Sequence, residues 1–103
     1  VTSTQTITVN VTQEHISKGW KGDCYDCPIA LALRPLIGEA YKFQVQAGYV
    51  LIEDDPEPVP FRIAIPKICT SFIAAFDMGE TVKPFQFQID LPQRVISPNS
   101  AIS

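Results

Sequence analysis

Seven residues near the C-terminus constrain this chain most. Phe85-Gln86-Phe87-Gln88-Ile89-Asp90-Leu91 alternates apolar and polar side chains without a break. Successive side chains of a strand point to opposite faces, so this pattern makes a strand buried on one side only. Such a strand is stable only when a second layer covers its apolar face. The same period recurs at the other end of the chain, where Ile7, Val9 and Val11 alternate with Thr6, Thr8, Asn10 and Thr12. It recurs again from Tyr41 to Ala47, with Phe43 and Val45 inward and Lys42, Gln44 and Gln46 outward. Tyr49 to Ile52 is a further apolar run after the Ala47-Gly48 turn signal, and Phe61 to Ile65 completes the strands.

Three stretches read as helix. Thr12 is a capping residue for a short helix over 13–18 that Gly19 ends. Pro28 suits a first helical turn, and Ile29-Ala30-Leu31-Ala32-Leu33 is apolar nearly all round, so this helix is expected to be central, with Asp26 as its cap. Pro35 removes a donor and disfavours helix at Arg34, which ends it. Lys67 to Met78 places Ile68, Phe72, Ala75 and Phe76 on one stripe, and Gly79 is its stop. The fold class is therefore α+β. The expected architecture is a two-layer single domain over residues 1–92, with a mostly antiparallel sheet of four to five strands and two main helices on one face. A polar tail at 93–103 carries Val95, Ile96 and Ile102, which are expected to dock on this domain or on a neighbouring copy.

With 103 residues the chain buries about two-thirds of the surface its unfolded form exposes, enough for one core without staples. Only 18% of residues are charged, against a typical ~25%, so part of the surface is uncharged polar. The net charge is -3 and no basic run exists, which argues against nucleic acid as a partner. No apolar stretch approaches ~18 residues, so no membrane-spanning helix is expected, and no signal-type segment opens the sequence. Three cysteines do not make a secreted disulfide framework, and a reducing interior is the expected setting.

Cys24-Tyr25-Asp26-Cys27-Pro28 is the most chemical-looking segment. A CxxC at a helix start favours thiolate, yet here a polar loop precedes it instead of a strand, and Asp26 opposes a thiolate by like charge. Cys24 and Cys27 have zinc-ligand spacing, and Cys69 with the lone His15 would complete a Cys3His set. A second CxxC is missing, so packing of small cysteines is the favoured reading and no cofactor is expected. His15 has no Ser or Cys nucleophile in a recognisable context. Glu53 to Glu57 is acidic but lacks calcium-loop spacing and its glycine. No catalytic set stands out. Alternation instead gathers Thr6, Thr8, Gln44, Gln46, Gln86 and Gln88 on the face away from the helices, a candidate surface for a protein partner if the strands share one sheet.

Three stretches read together carry a likeness: Val11-Thr12-Gln13-Glu14-His15-Ile16, then Cys24-Tyr25-Asp26-Cys27-Pro28-Ile29-Ala30-Leu31-Ala32-Leu33, then Phe72-Ile73-Ala74-Ala75-Phe76-Asp77-Met78-Gly79 with Val82-Lys83-Pro84-Phe85-Gln86-Phe87. Over residues 6–91 the chain resembles a group of small tailed-bacteriophage proteins. No site residue follows from the likeness. Together with the missing catalytic set it implies a non-catalytic accessory protein that binds another protein: a host factor, a defence factor or a virion component. It would act in the cytoplasm of an infected or prophage-carrying bacterium. The alternatives are a virion subunit, for decoration or connection, and a zinc or thiol-redox module on Cys24 and Cys27. Self-association into a homo-oligomer stays open.

Overall fold

Each period-two stretch forms a strand, and Thr12, Pro28 and Gly79 open or close helices where expected. The computed structural model describes residues 4–38, 41–53 and 61–96. In chain order the elements are β1 (Thr4–Val11), α1 (Gln13–Lys18), α2 (Pro28–Leu33), β2 (Lys42–Gln46), β3 (Tyr49–Glu53), β4 (Phe61–Ala64), α3 (Lys67–Asp77) and β5 (Phe85–Pro92), then a 3-10 turn (Gln93–Val95). The α+β reading holds, with every pairing between strands antiparallel.

The helix ends show why the boundaries fall where they do. Thr12 Oγ1 accepts from the His15 backbone N–H at 3.3 Å, and the Thr12 N–H donates to His15 Nδ1 at 3.0 Å. This is a reciprocal capping box with histidine in the place usually held by Glu or Gln. Helix α2 is capped by Cys27, whose Sγ accepts from the Ala30 N–H at 3.4 Å. Asp26 is not the cap; its carboxylate pairs with Arg34 Nη2 at 2.9 Å instead. Helix α3 ends in a Schellman arrangement. Gly79 has φ of 82°, its N–H reaches the Phe76 carbonyl, and the Glu80 N–H reaches that of Ala75. Gly19 meets a different demand. A Cβ there would stand 2.6 Å from Pro28 Cδ, so the approach of α1 to α2 leaves no room for a side chain.

The strands do not share one sheet. β1 pairs with β5 over eight residues, Thr4 opposite Pro92 through Val11 opposite Phe85. β2, β3 and β4 form a separate three-stranded sheet in that order. β5 runs beside β4 without a ladder between them. β4 has only four residues and Pro66 lacks a donor just past its end, so its outer edge offers too little ladder to join the sheets. The expected four-to-five-stranded sheet is thus two sheets of two and three strands.

One core nevertheless spans both. Val9, Val11, Ile29, Leu33, Phe43, Val45, Ile52, Ile63, Phe72, Phe76, Phe87 and Ile89 belong to a single buried cluster, while Ile7 is half-buried at its margin. α2 lies against both β1 and β2 and so holds the sheets to one another. α3 packs through Phe72, whose ring centroid is 4.7 Å from that of Phe85. Ile68 is 51% exposed, so the buried stripe of α3 runs through Cys69, Phe72 and Phe76, rotated from the expected one. Val95 and Ile96 are buried, and Ile37 bridges Ile96. Ile102 and the acidic proline stretch 54–60 lie outside the described residues.

Candidate functional site

The loop from Trp20 to Cys27 folds back on the second sheet and builds the most organised polar cluster among the described residues. Its own turn is closed by the Trp20 N–H on the Asp26 carbonyl at 2.9 Å. Asp23 Oδ1 accepts from the N–H groups of Tyr25 and Asp26, at 2.8 and 3.2 Å, as an Asx turn does. The loop is anchored twice. The Gly22 N–H donates to Asp77 Oδ1 at the end of α3, and the Val45 N–H donates to the Cys24 carbonyl at 2.9 Å. The second bond covers part of the open edge of β2.

This anchoring places Tyr25 over the outward side chains of β2 and β3. The Tyr25 hydroxyl donates to Glu53 Oε2 at 3.1 Å and accepts from Gln44 Nε2 at 3.0 Å. Gln44 Oε1 accepts from Gln46 Nε2 at 2.6 Å and from the Cys24 thiol at 3.6 Å. Lys42 Nζ stands 5.0 Å from the centroid of the Tyr25 ring, a cation–π approach. Partial burial, with the Glu53 carboxylate next in weight, pushes the Tyr25 phenol above its ordinary value. The hydroxyl therefore stays protonated and keeps donating to Glu53 at neutral pH.

Register extends the surface across the sheet. Gln44 is opposite Leu51, Gln46 opposite Tyr49, and Leu51 opposite Arg62. Tyr49 and Leu51 are half-buried and Arg62 is exposed, with its guanidinium 4.7 Å from the Tyr49 ring centroid. Two tyrosines, a leucine and an arginine thus share one outward face with the two glutamines. A cleft of ≈ 260 Å³ adjoins it, lined by Cys24, Cys27, Gln46, Ile73 and Asp77 among others.

The six residues expected on one face are divided. Thr6, Thr8, Gln86 and Gln88 are exposed on the outer face of β1 and β5, and Thr6 Oγ1 donates to Asp90 Oδ1 at 2.5 Å across the ladder. Gln44 and Gln46 sit half-buried on the other sheet, in the Tyr25 cluster. They form no continuous patch because β1 and β5 do not pair beside β2. Tyr25, Tyr49 and Arg62 were not singled out from the sequence, and Glu53 stood out only as the start of the acidic stretch. The alternation of Tyr49, Leu51 and Glu53 against buried Val50 and Ile52 carried a usable signal, hidden by reading that run as simply apolar. Nothing local could place Tyr25.

The metal-type candidates occupy structural positions. His15 Nδ1 is engaged in the α1 cap and Cys27 Sγ in the α2 cap. Burial pushes the thiols of Cys27 and Cys69 up, that of Cys69 to about 12, so the helix start at Cys27 does not produce a thiolate. Among the described residues no three His, Cys, Asp or Glu side chains gather as ligands would. No helix among them is long and apolar enough to cross a membrane. No protein-family model, curated protein or solved structure matches the chain.

Proposed function

We propose that this is a non-catalytic accessory protein of the tailed-phage type that acts by binding another protein. The partner docks on the outer face of β2–β4 around Tyr25, Gln44, Tyr49, Leu51 and Arg62. Inhibition of a host or defence factor in the bacterial cytoplasm is one form this takes. The observation that carries the reading is the Tyr25–Gln44–Glu53 network. A loop anchored at Gly22 and Cys24 presents an aromatic side chain on a sheet face, with its hydroxyl already bonded. Tyrosine and arginine anchors ringed by satisfied polar groups are what the centre of a protein interface needs. Ordering them before binding lowers the entropy lost on association. The adjoining cleft of ≈ 260 Å³ is below the ~300–1,000 Å³ usual for small-molecule sites.

The test is affinity capture with the full chain in infected cells, followed by titration of the captured protein against variants. Gln44→Lys and Leu51→Lys, each shown to fold by circular dichroism, are expected to weaken binding about tenfold or more, because a new charge must be desolvated. Gln88→Lys on the other sheet is expected to bind as the wild type does. Unchanged binding by both folded β2–β3 variants would sink the reading. Loss with Gln88→Lys alone would move the site to the β1–β5 face.

A further inference from the structure

Among the described residues the outer edge of β1 is an open strand edge. β1 has β5 on one side and, among the described residues, no strand on the other. Pro92, opposite Thr4, has no N–H, so that pair is of the kind without direct main-chain bonds. Pairs alternate along an antiparallel ladder, so Thr4, Thr6, Thr8 and Asn10 all turn their backbone N–H and C=O groups away from β5. None of these groups has a backbone partner among the described residues.

Sheet proteins blunt such edges with charge, proline, a bulge or short length. β1 uses none of these. It is eight residues long, reads Thr-Gln-Thr-Ile-Thr-Val-Asn-Val, and keeps continuous register with β5. The opposite edge of the molecule is handled differently, since the Cys24 carbonyl takes the Val45 N–H on β2. Apolar cover also thins at the same place. Val9 and Val11 on the inner face of β1 are each 1% exposed, whereas Ile7 is only half-buried and Gln5 is exposed.

The geometry points to a second copy of this chain as the occupant of that edge, β1 against β1 in antiparallel register about a two-fold axis at Ile7. In this register Thr6 faces Thr8 of the copy and Thr4 faces Asn10. Those are the residues whose backbone groups point outward, so donors meet acceptors along the whole junction. The two Ile7 side chains meet at the centre and cover one another. The segment carries no charge in a chain of net charge -3, so like charges do not face each other across the junction. Threonine beside threonine on the outer face is a favourable cross-strand pair. The result is a four-stranded ribbon, β5-β1-β1-β5, running through the dimer.

The experiment measures the mass of the full chain in solution over a range of concentrations, by sedimentation or light scattering. The expected mass at high concentration is about twice 11.4 kDa. Thr6→Pro removes an N–H that faces away from β5, so the fold is expected to survive. Association is expected to weaken about a hundredfold or more, because the change is made in both copies and leaves two carbonyls without donors. A wild-type mass of 11.4 kDa at every concentration overturns the inference. So does a folded Thr6→Pro protein that associates as the wild type does. Should Thr6→Pro not fold, hydrogen exchange on the wild type decides. Protection of the Thr6, Thr8 and Asn10 amides that rises with concentration supports the pairing, and concentration-independent exchange overturns it.

Discussion

Cys69 is fully buried on α3, and burial, with Cys27 nearby, holds its thiol up to about 12 from an ordinary 9.0. The fold thus favours the neutral thiol. Its contribution to stability is complete below pH 9 and is lost as the pH rises toward about 12. The urea midpoint of the wild type is expected to fall steadily above pH 9, and that of Cys69→Ala to fall less steeply from its own value at neutral pH. Equal slopes for the two proteins would contradict the linkage. A residual fall in the variant is expected, because Cys27 and Tyr25 are shifted in the same direction. His15 and Cys27 belong to the same scale. Each has a reactive atom, and each spends it on a backbone N–H at a helix start. Residue type, and for Cys27 its spacing from Cys24, gave both the look of ligands, because a cap and a metal site call on the same lone pairs.

Helix α3 shows what an element's sequence leaves open. The expected stripe through Ile68, Phe72, Ala75 and Phe76 and the buried one through Cys69, Phe72 and Phe76 differ by a modest rotation about the helix axis. Isoleucine is the larger apolar side chain, yet Cys69 is the one fully buried and Ile68 stands 51% exposed. A free cysteine behaves as a small hydrophobe and is among the most often buried residues. Reading Cys69 as chemistry hid that preference. Phe76→Ala is expected to cost about 3–5 kcal/mol, as for other buried aromatic truncations. Ile68→Ala is expected to cost less than about 1 kcal/mol, because little burial is lost. Denaturant unfolding of the two variants checks both values, and a larger cost at Ile68 would reverse the assignment of faces.

At the scale of the molecule, two small sheets share one core because α2 touches both and the C-terminal turn closes the end. The Gly38 N–H donates to the Val95 carbonyl at 2.7 Å, and Val95 and Ile96 enter the same apolar cluster as Ile37. The segment after β5 is therefore part of what holds the fold. Removing residues 93–103 is expected to lower the melting temperature by about 10 °C or more, since two buried aliphatic side chains and a backbone bond are lost. Calorimetry on the truncated chain checks this, and an unchanged melting temperature would show that the tail adds nothing to the domain.

The sequence by itself determined the elements. Period-two alternation set β1, β2 and β5, while Thr12, Pro28, Pro35 and Gly79 bounded the helices within a residue or so. Those signals are local: side-chain direction, a missing N–H, a tolerated positive φ. The inward side chains were legible for the same reason, because alternation states which face is apolar. Tertiary structure alone decided which strands pair, since a one-sided strand accepts any partner that matches its pleat and buries its face. That choice split the six polar residues between two sheets. It also set Tyr25, from a loop with no period to read, against Gln44 and Glu53. A site assembled from side chains nineteen and twenty-eight positions apart depends on how the chain returns on itself, which no local pattern contains.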